Sequence, residues 1–213
     1  FQVTVCSIVL AMVSGLITGL GRISRNKYIN LVASTYVEIV RGVRQAVRIP
    51  IAVKLSPYYT SVAHLAGRIE AEKVEGLVLF NRFFQPEIDI EALEVTPKLD
   101  LSTSEDLRLR LRWLGLMRDQ VSLSLACSGG VHTPADIVKA LLAGADVVQV
   151  VAELLTRGPG RLAELLAGLQ QWMEQQEYES VEQMTGALSL RSCPDPEAYE
   201  RGTYLRMLQL WRD

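Results

Sequence analysis

The chain has 213 residues, enough for one domain with a sizeable core, and 49% of them are hydrophobic. Its 22 Lys and Arg residues nearly balance its 24 Asp and Glu residues, and no basic stripe is visible, so the sequence does not indicate a nucleic-acid partner. Cys6, Cys127 and Cys193 lack the spacing of metal ligands or of a CxxC motif, so we expect ordinary thiols in a cytoplasmic protein without a bound metal.

The first 34 residues differ in composition from the rest of the chain. Residues 3–20 are uncharged, and three basic residues follow by Lys27. This length suits a short membrane-spanning helix with a positive cytosolic flank, but four hydroxyl residues and two glycines weaken that interpretation. A buried part of the core and a misread upstream frame are the alternatives. We therefore separate residues 1–34 as an atypical apolar segment and expect no membrane anchor there.

From Thr35 onward, amphipathic helices alternate with short apolar strands. Proline at position 50 disfavours helix in the residue before it, so the first helix ends near Ile49. Lys54 lies near the end of the first strand, and Asn81 follows the second. The predicted elements in this part are a helix from residue 35 to 48, a strand over 51–55, a helix over 62–73 and a strand over 76–80.

A long connection covers residues 83–105 and carries two prolines and, between Glu87 and Asp100, a patch of five acidic residues. Because it exceeds the usual length of a βα loop, we expect a functional lid or a small hairpin. Its last residues, Leu101-Ser102-Thr103-Ser104-Glu105, supply hydroxyl groups that are candidates for a helix cap and for a ligand contact. A helix follows over residues 107–118 and carries four arginines (Arg108, Arg110, Arg112 and Arg118). For most of them, a solvated helix face is a better explanation than an anion site.

Residues 123–155 have the pattern of a strand, a glycine turn, a helix and a second strand. The first strand ends at Ser128-Gly129-Gly130, Gly144 ends the helix, and a β-branched run follows over residues 147–151. The glycines leave backbone N–H groups accessible at the entry to the helix, where a phosphate binds readily. A plain tight turn explains the glycine pair equally well.

Strand starts near residues 51, 76, 122 and 146 predict repeated βα units, and further helices are expected over residues 162–176, 181–188 and 196–211. Polar residues recur at the ends of these strands, namely Lys54, Asn81, Ser128 and Gln149. In a (β/α)8 barrel these ends face one pocket, which favours a barrel over a doubly wound sheet. The predicted class is therefore α/β, of the (β/α)8 TIM-barrel type, with about four βα units.

Several segments together resemble a known family. They are IPIAVKLSP (49–57), GLVLFNRFFQPEIDIE (76–91), LSTSEDLRLRLRW (101–113), SGGVHTPADIVKALLAGADVVQVV (128–151) and GLQQWMEQQEYESVEQM (168–184). In order and spacing they are similar to dihydroorotate dehydrogenase-like proteins, which are FMN-binding barrels related to the class 1 dihydroorotate dehydrogenases. The resemblance covers residues 35–211, implies the C-terminal half of the barrel, and leaves out residues 1–34.

The resemblance implies roles for matching positions. Lys54 resembles the lysine that contacts the flavin near N1, and Asn81 resembles an asparagine that hydrogen-bonds the pyrimidine-like substrate. Ser128-Gly129-Gly130 resembles one backbone site for the FMN phosphate. Val151-Ala152 lies at the other, where many relatives have Gly-Thr, so a hydroxyl is missing. His132 invites a catalytic interpretation, but a role in helix entry or in the core is favoured.

The implied activity is the FMN-dependent oxidation of dihydroorotate to orotate in pyrimidine biosynthesis. The family uses a cysteine or serine base on a loop of the earlier strands, and no matching loop is visible, so we expect these residues alone to be inactive. Homodimerisation is one way to cover the open sheet edges. One alternative is a non-redox barrel enzyme in which Lys54 forms a Schiff base or binds phosphate. The other is a non-enzymatic protein that binds a phosphorylated ligand.

Overall fold

The structure of the chain is a computed structural model that describes residues 27–59, 61–82, 85–199 and 208–209. Its strands are β1 (Ala52–Leu55), β2 (Gly76–Leu79), β3 (Pro86–Asp89), β4 (Glu94–Pro97), β5 (Ser124–Ser128) and β6 (Val147–Gln149). Its α-helices are α1 (Lys27–Ala46), α2 (Val62–Glu70), α3 (Leu107–Met117), α4 (Pro134–Ala143), α5 (Ala152–Arg157), α6 (Arg161–Gln175) and α7 (Val181–Met184), with 3₁₀ turns at Ser104–Asp106 and Pro196–Tyr199.

Four of the strands form one parallel sheet in the order β1-β2-β5-β6. The register aligns Lys54, Val78, Ala126 and Val147 in one row across the sheet. Each strand leads into a helix, as in successive units of a (β/α)8 barrel, and each begins within two residues of the position predicted from the sequence. The predicted α/β class with about four βα units is confirmed.

The two faces of the sheet differ in burial. Along β1, Val53 and Leu55 are buried in the same apolar core as residues of α2, α3 and α4, whereas Ala52 and Lys54 are exposed. Side chains alternate between the faces of a strand, so a single strand supplies both surfaces. The face turned away from the helices, which lines the interior of a closed barrel, carries Lys54 toward the carboxyl ends of the strands.

The connection between β2 and α3 contains an antiparallel hairpin of β3 and β4, in which Ile88 pairs with Val95. Of the two predicted alternatives, a hairpin and a lid, the hairpin is therefore present. The loop after it ends in a Thr103 capping box with Asp106, which starts the 3₁₀ turn before α3. Both ends of this insertion return to the carboxyl edge of the sheet.

Helix α1 begins at Lys27, so the boundary that composition suggests at residue 34 falls inside a helix. The uncharged residues 3–20 lie outside the part that the structure describes. Within the described ranges, no helix has the length and apolar character needed to cross a membrane. The same residues contain no cluster of three His, Cys, Asp or Glu side chains that could hold a metal ion.

The helix predicted over residues 181–188 is shorter in the structure. Helix α7 stops at Met184 because Thr185 is extended and Gly186 adopts a positive φ of 77°, which ends the helical path. The predicted last helix is represented by the 3₁₀ turn Pro196–Tyr199, and most of its remaining residues lie outside the described ranges. The Tyr199 hydroxyl donates to the Leu188 carbonyl at 2.5 Å and so fixes this turn.

Candidate functional site

A cavity of about 190 Å³ opens at the carboxyl ends of the four parallel strands. All six residues that the sequence assigns to cofactor binding line it: Lys54, Ser128, Gly129, Gly130, Val151 and Ala152. Asn81 is not among the lining residues, although its neighbours Phe80 and Arg82 are. The fold therefore brings the predicted cofactor contacts together from three strands, while the substrate contact of Asn81 stays a prediction.

Lys54 reaches across the sheet to the glycine turn. Its Nζ donates a hydrogen bond to Ser128 Oγ at 3.0 Å. Within the described residues no carboxylate forms a salt bridge with Lys54, which argues against the alternative of a lysine held by an acidic partner. Partial burial, and then the positive charge of Arg110, lower the pKa of Lys54. An anion in the cavity would relieve that repulsion.

The two glycines after β5 adopt backbone conformations that other residues avoid. Gly129 has a φ of 91° and Gly130 a φ of 82°. A Cβ on Gly130 would lie 2.4 Å from the backbone N of Leu107, at the start of α3. Among the described residues, no acceptor takes a hydrogen bond from either glycine N–H. The turn thus has a packing role and also presents donors to the cavity.

The second predicted phosphate site lies at the start of α5. Val151 is the N-cap residue and Ala152 the first helical residue, so the backbone N–H groups of this turn have no helical acceptor. The hydroxyl group nearest in sequence, Thr156 Oγ1, donates to the Ala152 carbonyl at 2.9 Å. Only backbone donors are therefore available at the position where many relatives carry a threonine.

Arg110 is a wall residue of the cavity that the sequence analysis missed. It is only 7% exposed, and its guanidinium donates to the carbonyl oxygens of Ser128 at 3.1 Å and Asp106 at 2.7 Å. Burial lowers its pKa, and the charge of Asp106 opposes this. The expectation of a solvated arginine is wrong here, because Arg110 lies in the same helical stripe as Leu107 and Leu114. That 3- and 4-residue spacing was the available signal.

A second polar cluster surrounds the entry to α4. His132 lies immediately before the N-cap Thr133, and its backbone N–H donates to Asp136 Oδ2 at 3.1 Å. The same oxygen accepts from the Thr133 N–H at 3.0 Å and from the Ser104 hydroxyl at 2.7 Å. Burial alone would raise the pKa of Asp136, but these hydrogen bonds outweigh it and lower the pKa. This geometry agrees with the helix-entry role expected for His132.

The charge of the cavity wall favours an anionic ligand. Lys54, Arg82 and Arg110 are cationic, whereas Asp100 is the one carboxylate among the lining residues. Cys127, although close in sequence, is fully buried, and burial raises the pKa of its thiol to about 12. It therefore stays protonated at neutral pH. Backbone donors from two turns and a nearby lysine are the donor set that suits a phosphate-bearing flavin.

Comparisons with known proteins agree with this site. Residues 24–173 match the sequence profile of the family described as dihydroorotate dehydrogenase. The match begins inside the segment 1–34 that composition separates, and it ends within the tail segment 168–184 that the resemblance includes.

Similar proteins include catalytic subunits of dihydroorotate dehydrogenase B (NAD(+)). The one from Endomicrobium trichonymphae is 26% identical over 157 residues, which cover 71% of this chain and 50% of that protein. The one from Methanothermobacter thermautotrophicus is 29% identical, with coverage of 70% and 50%. The one from Bacteroides fragilis is 28% identical, with coverage of 72% and 51%. The chain spans about half the length of these curated relatives. On the family match, which covers most of its residues, the chain belongs to the dihydroorotate dehydrogenase family.

Proposed function

We propose that this chain forms the phosphate-binding part of an FMN site in an oxidoreductase that converts dihydroorotate to orotate. One observation carries the proposal: two backbone donor turns, at Gly129-Gly130 and at Val151-Ala152, line the same cavity as Lys54, which has no carboxylate partner among the described residues. Donors in such turns bind phosphate without a side-chain charge of their own. The family membership supports a flavin and a pyrimidine-related substrate, and FMN and dihydroorotate are the forms that we propose.

Each residue then has a separate task. The N–H groups of Gly129, Gly130 and Ala152 donate to the phosphate, and Arg110 adds positive charge behind the glycine turn. Lys54 lies at the flavin end and stabilises negative charge on the ring, while Asn81 donates to and accepts from the substrate amide edge. When bound, FMN supplies the hydride acceptor of the reaction.

Proton removal from the substrate needs a base within about 3 Å of the reacting carbon. Cys127 is buried and has a pKa of about 12, and the Nδ1 and Nε2 atoms of His132 already contact Glu153 and Ser102. We therefore propose that the described residues alone hold flavin but do not oxidise dihydroorotate. Orotate formation by the purified 213-residue chain would contradict this part of the proposal.

Flavin fluorescence tests the phosphate site directly. We expect the chain to bind FMN more tightly than riboflavin, which has the same ring system and no phosphate, by about tenfold, because charge-assisted hydrogen bonds are lost with the phosphate. Equal affinity for both flavins would contradict a phosphate site at the glycines. Binding of ribose 5-phosphate in the absence of any flavin binding would instead favour the non-redox or non-enzymatic alternative.

A further inference from the structure

A chain of hydrogen bonds connects the cavity wall to a buried carboxylate. Ser102 lines the cavity, and its hydroxyl oxygen lies 3.3 Å from Nε2 of His132. The other ring nitrogen, Nδ1, lies 3.1 Å from Oε2 of Glu153 in α5. The phosphate and flavin contacts proposed above use none of these three side chains. The cavity therefore has a hydroxyl group whose hydrogen position depends on the histidine.

Glu153 fixes which nitrogen of the ring carries a hydrogen. Burial alone would raise the pKa of Glu153, but hydrogen bonds from Arg161 and His132, and the charge of Arg157, outweigh burial and hold the pKa below its ordinary value. Its Oε1 contacts Nε of Arg161 at 2.8 Å and Nε of Arg157 at 3.2 Å. An ionised carboxylate only accepts hydrogen bonds, so Nδ1 of His132 is a donor. In a neutral ring, Nε2 then has no hydrogen.

The protonation state of His132 consequently sets the direction of the Ser102 hydroxyl. A neutral ring accepts the hydroxyl hydrogen at Nε2, so the lone pairs of Ser102 Oγ face the cavity. A protonated ring donates from Nε2 to Ser102 Oγ, and the hydroxyl hydrogen is free to point into the cavity. The first arrangement repels an anion, and the second donates a hydrogen bond to it.

We propose that Ser102 is a further donor to the anionic group of the ligand in this cavity, and that His132 is the positioning residue that turns its hydroxyl. The inference rests on the proposed function for the identity of that group, the phosphate of FMN. Its consequence is that the affinity for FMN is higher with a protonated ring than with a neutral one.

The charged groups around His132 come from three elements. Asp136 of α4 accepts from its backbone N–H at 3.1 Å, and Arg161 of α6 donates to its carbonyl oxygen at 3.4 Å. Glu153 of α5 contacts the ring itself. Asp136 and Glu153 both have lowered pKa values and stay ionised at neutral and mildly acidic pH, and Arg161 stays protonated.

The test measures FMN and riboflavin affinity at about pH 8 and about pH 5.5, by flavin fluorescence, for the 213-residue chain and its His132→Gln and Ser102→Ala variants. Toward the lower pH, we expect the ratio of wild-type to His132→Gln affinity for FMN to rise on the order of three- to tenfold, which is the effect of one hydrogen bond. The ratio of wild-type to Ser102→Ala affinity should rise equally. Both ratios should stay constant for riboflavin.

Two controls separate this effect from other titrations. The phosphate of FMN loses its second proton near pH 6, and Lys54 and Arg110 face the ligand across the cavity, but these contributions occur in every variant and cancel in the ratios. His64→Gln changes the exposed histidine of α2 and should match wild type at both pH values. Circular dichroism of each variant reports folding, and Ser102→Ala removes only one hydroxyl group.

The outcomes distinguish the two proposals. If FMN binds but both ratios stay constant with pH, the role of Ser102 and His132 is overturned while the flavin site stands. If the His132→Gln ratio changes but the Ser102→Ala ratio does not, the proton acts elsewhere and the hydroxyl is not the donor. If the chain has no preference for FMN over riboflavin at either pH, the proposed function itself fails.

Discussion

The charged side chains at the two edges of the parallel sheet have different kinds of partners. At the amino edge, Asp146 accepts from the Leu125 N–H at 2.8 Å and pairs with Arg118, and Glu70 accepts from the Ser122 N–H at 2.6 Å. At the carboxyl edge, Lys54 and Arg110 contact a hydroxyl and carbonyl oxygens, and neither has a carboxylate in salt-bridge contact among the described residues.

This difference separates a structural edge from a binding edge. At the amino edge, the carboxylates already have hydrogen-bond or ion-pair partners at the starts of the strands, so they need no ligand. At the carboxyl edge, Arg110 is buried and Lys54 is partly desolvated, and neither contacts a carboxylate of the described residues, so an anion bound there should be stabilised by both cations. The same division is general in barrels, where the carboxyl face carries the active site. Substitutions at the two edges should therefore change different measured quantities.

The largest effect is expected for Gly130→Ala, because the glycine turn both packs against α3 and presents donors to the cavity. The new Cβ would lie 2.4 Å from the backbone N of Leu107, and φ is 82°. Strain and displacement of α3 should lower the free energy of unfolding by about 3 kcal/mol. FMN should be released for two reasons. Helix α3 moves together with Arg110, and the new side chain enters the phosphate position.

Urea unfolding measures this effect, and Gly67→Ala is the matched control. Gly67 lies in α2, and a Cβ there would meet no atom within 4 Å. That substitution should be neutral or raise the free energy of unfolding by about 0.5–1 kcal/mol, since alanine favours helix. Equal stability of the two variants would show that the turn does not need glycine.

The second prediction compares the edges directly. Asp146→Ala leaves the N–H of Leu125 without its acceptor in a residue that is 1% exposed, so the free energy of unfolding should fall by about 2 kcal/mol with unchanged FMN affinity. Lys54→Met should leave stability equal or slightly higher and weaken FMN binding about tenfold. Urea unfolding and flavin titration of both variants check the pair. A loss of stability in Lys54→Met would mean that the lysine is structural.

Local sequence patterns predicted much of this comparison. The contacts that depend on long-range packing could not be predicted from them. The apolar runs and the glycine pair predict where the strands end, so the sequence alone assigns Lys54 and Gly129 to the same edge of the sheet. The burial of Arg110 was missed because it alternates with two other arginines, and only packing of α3 against β5 decides which of them turns inward. The contacts of His132 with Ser102 and Glu153 span 30 and 21 residues and leave no local pattern.

A smaller effect is expected for Asp136→Asn, which sharpens the description of the carboxyl edge. Asp136 is 2% exposed, and the hydrogen bonds to its carboxylate hold its pKa below the ordinary value of about 3.9. A lowered pKa adds stability above the unfolded-state pKa, and this stability disappears as pH falls through the folded-state pKa. The variant should therefore be less stable by about 1 kcal/mol near neutral pH and should approach wild type in acid.

Thermal or urea unfolding at several pH values tests this sign. Glu91→Gln, in the exposed turn between β3 and β4, serves as the control and should be neutral throughout. A destabilisation of Asp136→Asn that stays the same into acid would mean that the shape of the carboxylate, rather than its charge, supports the entry to α4.

A small effect, without a change in FMN affinity, is expected for Cys127, which lies on β5 directly before Ser128 but faces the core. It is fully buried, and burial raises the pKa of its thiol to about 12, whereas Cys193 is only half-buried. Since the thiolate is the reactive form, iodoacetamide at about pH 8 should modify Cys193 and leave Cys127 intact until urea unfolds the chain. Peptide mass spectrometry distinguishes the two sites.

Cys127→Ala should cost only about 1 kcal/mol of stability and leave FMN affinity unchanged, because the side chain packs as a small apolar group. Rapid alkylation of Cys127 in the native chain, or its protection by FMN alone, would place this thiol in the cavity and would blur the boundary between core and binding edge.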